Sequence, residues 1–265
     1  MSLEVSKLHV SVGETPILED VSLTVGDAER VGLVGTSGSG KSMLAMSVMG
    51  LTPSTVRVEG SALLDGQQLV GASPQTFADI RGRSVGFVFQ DPSASLSPVI
   101  PVGRQIERSL KRHYSLNSKN RRARVATMLE KVGLSADLAA SYPHELSGGQ
   151  QQRVAIAAAL ITSPKLIIAD ESTTALDAMT QVQITRLLVS LVDDAGASLL
   201  FITHDFSVLA RVAQRSYVLG EGRVQEEGPT QDLLEAPQTE AGKRLVLAAR
   251  KLTFSSSQSD SERRQ

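Results

Sequence analysis

The chain has 265 residues and a mass of 28.2 kDa, enough for one or two domains. Its 27 Lys and Arg residues nearly balance 28 Asp and Glu residues, which excludes a globally basic nucleic-acid-binding protein, though not a local basic patch. Cysteine is absent, which excludes disulfide frameworks, thiolate zinc sites, iron–sulfur clusters and cysteine nucleophiles.

The opening segment, residues 3–25, alternates loosely between apolar and polar residues and breaks at Gly13, so it predicts short antiparallel strands. Later apolar runs at 31–34, 85–89, 166–169 and 199–202 are short and continuous, as in strands buried on both faces. Helical patterns lie between several of them; in residues 181–194 the apolar positions follow a helical repeat. This alternation predicts an α/β fold with a mostly parallel sheet.

A glycine-rich octet follows the first buried run and fits G-x-x-x-x-G-K-[ST], the P-loop pattern. Its members are Gly35, Thr36, Ser37, Gly38, Ser39, Gly40, Lys41 and Ser42. Glycines let backbone N–H groups converge on phosphate oxygens, and the following helix adds a favourable dipole. We expect Lys41 to reach the β- and γ-phosphates and the Ser42 hydroxyl to bind Mg²⁺. The alternative, an ordinary glycine-rich turn, is disfavoured by the strand before the octet and the apolar helix after it.

Residues 91–160 lack buried apolar strands and predict an all-helical insertion, with helices over 105–110 and 121–132. Inside it, residues 111–124 carry six Lys and Arg residues, one His and no acid. That run could contact nucleic acid or lipid headgroups, but we favour a solvated helical face.

A second candidate anion site lies just before the helical pattern of residues 151–161. It comprises Leu146, Ser147, Gly148, Gly149 and Gln150. Ser147 is a good N-cap and the glycines expose N–H groups, although a simple capped helix start is the alternative. A second phosphate-binding segment in a chain that holds one nucleotide suggests a site shared between two chains.

Polar side chains follow the other buried runs. Gln90 follows the run at 85–89, and Asp170 and Glu171 follow the run at 166–169. His204 comes two residues after the end of the run at 199–202. Ligands of open α/β sheets bind at the carboxyl ends of the strands, so we expect these groups to meet Lys41 at one edge. Beside a P-loop, the first acid completes the Mg²⁺ shell and the second orients the attacking water. The alternatives are ordinary polar strand ends and a solvated histidine.

Over residues 3–235 the chain resembles the ATPase subunits of ABC transporters. Residues 35–42 match the Walker A motif, residues 166–171 match Walker B, and residues 146–150 match the ABC signature. Gln90 matches the glutamine of the Q-loop, and His204 matches the switch histidine. Residues 175–177, which end in Asp177, match the D-loop. The resemblance implies a P-loop NTPase (RecA-like) core with an antiparallel β subdomain and a helical subdomain. It also implies a head-to-tail dimer in which each ATP lies between Walker A of one subunit and the signature of the other. Glu171 would act as the general base, Gln90 would join Ser42 and Asp170 around Mg²⁺, and His204 would support the γ-phosphate.

A narrower resemblance, at residues 89–98, 142–149 and 169–177, is to the dipeptide, oligopeptide and nickel importers. It implies ATP-driven import of peptides or a chelated metal through two permease subunits. A second ATPase subunit, identical or paralogous, and an extracytoplasmic substrate-binding protein would complete the system. No apolar run or signal-like N-terminus predicts membrane insertion, so we expect the chain at the cytoplasmic face of the membrane, held by the permeases. No nucleic-acid partner is expected.

Three departures from the family pattern stand out. Val12 occupies the position where the family usually stacks an aromatic ring on adenine, so apolar contact would replace stacking. Ser172 stands where Pro usually follows the catalytic Glu. The cysteine clusters of many peptide-importing relatives are missing, which favours the shorter nickel-type subunits.

We predict a cassette over residues 1–235 with the helical subdomain at about 91–160, a short C-terminal helical extension over 236–254 and a disordered tail over 255–265. The rival function is a soluble ABC-type ATPase acting on nucleic acid or ribosomes. A single cassette without a large coiled-coil insertion disfavours it. A non-catalytic regulatory cassette is disfavoured because Glu171 and His204 are both present.

Overall fold

The computed structural model describes residues 2–171 and 177–249. The predicted C-terminal tail, Ser172 and residues 175–176 of the predicted D-loop lie outside the described residues. The strands are β1 (Leu3–Val12), β2 (Thr15–Val25), β3 (Arg30–Val34), β4 (Val56–Leu64), β5 (Gln67–Gln68), β6 (Val85–Val88), β7 (Leu166–Asp170), β8 (Ser198–Thr203), β9 (Arg215–Gly220) and β10 (Arg223–Pro229). The helices are α1 (Lys41–Val48), α2 (Pro74–Ile80), α3 (Pro92–Ser95), α4 (Val102–His113), α5 (Ser118–Lys131), α6 (Gly148–Leu160), α7 (Ala178–Asp194), α8 (Phe206–Val212) and α9 (Thr230–Glu235). Residues 240–249 are also helical.

The larger sheet has the strand order β10-β9-β3-β8-β7-β6. Its pairs are parallel except at the β10 edge, where β10 runs antiparallel to β9. The apolar runs predicted to be buried strands correspond to β3, β6, β7 and β8. Every residue of β7 and β8 is buried. This parallel α/β sheet, with helices on its faces, confirms the predicted fold class.

The smaller sheet is antiparallel, with the order β2-β1-β4-β5. Its first two strands are 10 and 11 residues long, longer than the short strands expected from the loose alternation. Register shifts along β1 explain the difference, because each irregularity breaks the alternation without ending the strand. Lys7 and Asp20 adopt positive φ within these strands.

Between β6 and β7 the described chain forms helices and turns, with no strand. The predicted helices at 105–110 and 121–132 correspond to α4 and α5. Ile106, Leu110 and Leu129 are fully buried there and belong to the apolar core that also covers one face of the large sheet. A second core fills the space between the other face, α1 and the small sheet. None of the described helices combines the length and apolar character of a membrane-spanning segment.

Gly32, at the centre of β3, gives a direct test of this packing. A Cβ at Gly32 would lie 2.4 Å from Leu209 Cδ1 and 2.5 Å from Ser216 Oγ. We expect Gly32→Ala to lower the free energy of unfolding by about 1–3 kcal/mol because a packed core must shift. Urea unfolding checks this, with Gly228→Ala as the control, since a Cβ there meets nothing closer than 3.9 Å. Equal stability of the two variants would contradict the close packing of β3.

Candidate nucleotide site

The P-loop octet connects the end of β3 to the start of α1. Gly38 and Gly40 have φ values of 80° and 101°, which favour glycine. A Cβ at Gly35 would lie 2.3 Å from the Leu219 carbonyl oxygen of β9, so only glycine lets the loop pass this strand. The loop therefore turns tightly against the sheet and leads into the helix that begins at Lys41, as a phosphate-binding loop requires.

Lys41 is buried within the loop, with 4% of its surface exposed. Its ammonium group donates to the carbonyl oxygens of Gly35 at 2.9 Å and Thr36 at 3.0 Å. The Glu171 Oε1 atom lies 3.8 Å from Nζ. Burial lowers the pKa of Lys41, and the charges of Glu171 and Asp170 oppose that shift. The lysine is thus held by neutral carbonyl groups that a phosphate could replace.

Asp170 is the last residue of β7 and is 6% exposed. Its Oδ1 atom is buried and accepts no hydrogen bond. Burial raises the pKa of Asp170, and the Ser42 side chain offsets part of that shift. An unpartnered buried carboxylate oxygen beside a serine hydroxyl matches the hard oxygen ligands that Mg²⁺ prefers. Although no group of three His, Asp or Glu residues in the described chain could hold a metal, these donors fit an ion that phosphate oxygens also coordinate.

Side chains from three strand ends meet at Glu171. Gln90, after β6, donates from Nε2 to Glu171 Oε2 at 2.9 Å. His204, after β8, places Nδ1 3.2 Å from Glu171 Oε1, and its side chain is half exposed. Glu171 itself has φ of 42°, which is uncommon for a residue with a side chain, and its N–H donates to Ile202 O at 2.8 Å. The geometry therefore brings Lys41, Gln90, Glu171 and His204 into one contact network.

Two residues that had no predicted role, Thr203 and Asp205, shape the turn that carries His204. The Thr203 hydroxyl accepts from the Asp205 N–H at 3.0 Å, and the Asp205 carboxylate accepts from the Ser207 N–H at 2.8 Å, which caps α8. The Asp-x-Ser pattern before an apolar helix is a cap signal that could have identified Asp205.

The signature residues begin α6 on an accessible part of the surface. Ser147 and Gln150 form a reciprocal capping box, with Ser147 Oγ accepting from Gln150 N at 3.3 Å and Gln150 Oε1 accepting from Ser147 N at 2.9 Å. Gly148 is exposed, and Leu146 is buried beneath the turn. Within the described chain, no hydrogen bond or ion pair joins this segment to the Walker A residues.

Asp177 and Val12 are both exposed on the surface. Asp177 caps α7 by accepting from Thr180 N at 3.0 Å, and these backbone contacts lower its pKa. A Cβ at Gly149 would lie 3.0 Å from Thr180 Cγ2, so the signature and the start of α7 are neighbours. Val12 ends β1 with 41% of its surface exposed and is followed by Gly13 at φ 59°. An exposed apolar side chain at this position is available for contact with a planar base.

Asp170→Asn should raise the thermal stability of the Mg²⁺- and nucleotide-free protein. The folded-state pKa of Asp170 is raised, so its ionisation costs stability once the pH exceeds the unfolded-state pKa. The gain, about 1–2 kcal/mol, should therefore be absent below the unfolded-state pKa, grow as the pH rises from there to the raised folded-state pKa, and stay constant above it. Melting curves from about pH 3, below the ordinary aspartate pKa of about 3.9, to about pH 8 measure it, with exposed Asp194→Asn as the control. A pH-independent difference would rule out the buried charge as its cause.

The family model described as ABC transporter matches residues 18–174. A Brucella abortus (strain 2308) ATP-binding protein named for peptide import is 40% identical over 242 residues, 89% of this chain and 73% of that protein. The oligopeptide transport ATP-binding protein OppD of Mycobacterium tuberculosis is 44% identical over 216 residues, 80% of this chain but 35% of that protein.

Solved structures of ATP-binding cassettes are also similar to this chain. The ATP-binding cassette MJ0796, a dimer in a post-hydrolysis state bound to ADP and Pi, has a TM-score of 0.76 and 32% identity. The alignment covers 86% of this chain and 98% of that one. The cbiO1 subunit of the Clostridium perfringens transporter complex cbiONQ has a TM-score of 0.77 and 30% identity over 88% of this chain and 90% of that one.

Proposed function

The chain belongs to the ABC transporter family and is an ATPase of that family, and on this premise we propose that it powers a peptide importer. The observation that carries the ATPase assignment is the network around Glu171, in which Gln90 and His204 contact the carboxylate beside the buried Lys41. Relatives named for peptide import and oligopeptide transport support peptides rather than the nickel alternative.

We propose that the phosphates of ATP replace the carbonyl groups that hold Lys41. The loop N–H groups and the lysine then surround the β- and γ-phosphates, and most of the rate comes from positioning and electrostatics. Ser42, Asp170 and Gln90 would hold Mg²⁺, which neutralises charge on the phosphates when bound. Glu171 accepts a proton from the attacking water, and His204 supports the γ-phosphate end. Val12 would contact the adenine through its exposed apolar side chain.

The composite site would form between two ATPase subunits arranged head to tail. The N-terminus of α6 is exposed at Gly148, and no hydrogen bond or ion pair of the described chain joins residues 146–150 to their own Walker A residues, so this segment is available to a partner's ATP. Asp177, capping α7 beside Gly149, would lie at the same interface. The dimeric MJ0796 cassette, with its ADP and Pi, supports this arrangement. The partner subunit is a second copy or a paralogue.

We propose that a permease binds a groove of about 330 Å³ between α4, α6 and β6. Apolar surface in this groove comes from Phe87, Phe89 and Ile100. The ring centroids of Phe87 and Phe89 lie 4.4 Å apart. Exposed apolar side chains beside a groove mark binding sites. Because Phe89 directly precedes Gln90, which contacts Glu171, an occupant of this groove lies next to the catalytic network.

Arg104 and Arg108 line one side of this groove, one helical turn apart on α4. They favour a permease segment that carries acidic as well as apolar side chains. We expect Arg104→Glu combined with Arg108→Glu to remove most co-purification of the permeases with the ATPase, because like charges then face each other. Lys131→Glu, an exposed charge at the end of α5, is the control. Equal recovery of permease with both proteins would argue against docking at this groove.

In this assembly two permeases hold the chain at the cytoplasmic face of the membrane, and an extracytoplasmic binding protein delivers the substrate. Uptake of labelled di- and oligopeptides and of Ni²⁺ by cells that carry either the wild-type chain or Glu171→Gln tests the proposal. We expect only peptide uptake to be lost. Loss of Ni²⁺ uptake alone would reverse the substrate assignment. Nucleic-acid-stimulated ATP hydrolysis, with uptake unaffected, would favour the rival soluble ATPase.

A further inference from the structure

Arg81, between α2 and β6, contacts the carboxyl end of α1. Its Nε and Nη2 atoms donate to the Met49 carbonyl oxygen at 2.9 Å and 2.6 Å, and Nη2 also donates to the Gly50 carbonyl oxygen at 2.5 Å. Met49 is the C-cap residue of α1. The last carbonyl groups of a helix lack intrahelical partners and carry partial negative charge, so a planar cation there both satisfies and stabilises them.

No carboxylate of the described chain pairs with this guanidinium group. The Arg81 Cζ atom also lies 5.0 Å from the centroid of the Phe77 ring. Burial lowers the pKa of Arg81, and no acid offsets that shift. The carbonyl groups at the end of α1 therefore supply the main polar environment of a partly buried cation.

The backbone of the same segment is held by α4. His113 Nε2 lies 2.9 Å from the Arg81 carbonyl oxygen, and Arg112 Nε donates to the Ala78 carbonyl oxygen at 3.1 Å. Gly82 has φ of 72°, and a Cβ there would lie 2.9 Å from Ser109 Oγ. Arg81 thus joins two elements that are otherwise far apart in the chain, the helix that follows the P-loop and a helix of the 91–160 region.

The opposite end of α1 carries the groups assigned to phosphate and Mg²⁺ binding. Lys41 and Ser42 are its first two residues, and the helix has only 8 residues. An isolated helix this short is marginal, so its order depends on its packing and its caps. Contacts at Met49 and Gly50 therefore influence how firmly Lys41 and Ser42 are held.

We propose that Arg81 is a positioning residue for ATP binding, which fixes α1 through its guanidinium group and anchors α1 to α4 through its own carbonyl group. This inference rests on the proposed role of α1 in binding ATP. Without the cap, the carboxyl end of α1 would fray and ATP binding would have to order it, so affinity would fall. At saturating ATP the helix would be ordered again, and turnover would be restored.

The test compares KM and kcat for ATP hydrolysis by the full chain. We expect Arg81→Ala to raise KM about fivefold and to change kcat less than twofold, as a lost cap requires. Arg81→Lys keeps the charge but not the planar fork, so it should recover part of the affinity. Arg83→Ala is the matched control: Arg83 is exposed, two residues away, and its side chain makes no hydrogen bond or ion pair with the described residues.

Equal KM values for Arg81→Ala and Arg83→Ala, with a lower melting temperature for the former, would overturn the proposal and leave a purely structural role. If Arg81→Ala does not fold, the KM of Arg81→Lys is compared with that of Arg83→Ala instead. Faster hydrogen exchange at residues 44–50, together with raised KM, supports the proposal, and unchanged exchange with unchanged KM overturns it. Failure of the proposed function is recognised separately, because the wild-type chain would then bind or hydrolyse no ATP.

Discussion

Glu171→Gln should lower ATP turnover by about three orders of magnitude while leaving ATP binding intact. The amide keeps the size of the carboxylate but cannot accept a proton, and general base catalysis contributes about 10²- to 10⁴-fold. Gln90 and His204 both contact this carboxylate, so the substitution alters the centre of the network without removing the lysine or the Mg²⁺ ligands. Steady-state phosphate release and ATP binding, measured on the same preparation, check the result.

The same variant should accumulate the closed dimer. Because hydrolysis reopens the two subunits, blocking it should double the mass in solution when ATP and Mg²⁺ are present, and nucleotide-free protein should remain monomeric. Glu130→Gln, an exposed acid near the end of α5, is the control. Unchanged turnover in Glu171→Gln would remove Glu171 from the base role. A monomer that still binds ATP would indicate a paralogous partner or a dimer held by permeases.

Ser147→Arg should abolish turnover to a similar degree, about 10²- to 10³-fold, without weakening ATP binding by the monomer. The long cation would fill the exposed start of α6, where a partner's γ-phosphate is expected to bind, and removing one such set of donors costs about that factor. Ser147 also caps α6, so some loss of stability accompanies the change.

Ser135→Arg separates these two effects. Ser135 also accepts a cap hydrogen bond, from Asp137 N at 3.3 Å, but it lies in a turn before the signature rather than in it. We expect Ser135→Arg to lose stability and keep turnover. Equal turnover loss in the two variants would mean that cap disruption alone, rather than contact with a partner's ATP, explains the Ser147 result.

The parts of this fold that were predictable from sequence are those with strong local signals. Continuous apolar runs specified β3, β7 and β8, and the spacing of glycines around Lys41 specified the P-loop. The placement of Gln90, Glu171 and His204 at one edge followed from strand parallelism alone.

Other parts depend on contacts that no local pattern encodes. β10 alternates between exposed and half-exposed residues and carries one large apolar side chain, Val224, so no apolar face identifies it, and β9 contains only a brief apolar run. The positive φ of Glu171 is imposed by its backbone contact with Ile202, from a different strand. Arg81 acquires its role through carbonyl groups some thirty residues earlier in the chain, and a lone arginine before a strand is not distinctive.

Mixing two inactive variants tests whether the ATP site is shared between two chains. Lys41→Ala lacks a phosphate-binding lysine but keeps its signature, whereas Ser147→Arg has the opposite defect. In a head-to-tail dimer of the two, one site combines both defects and the other is intact. We predict that an equal mixture recovers roughly a quarter of wild-type activity, because half the dimers are mixed and each has one working site. A mixture no more active than its two components, with the wild-type chain active under the same conditions, would show that two copies of the chain do not share an ATP site.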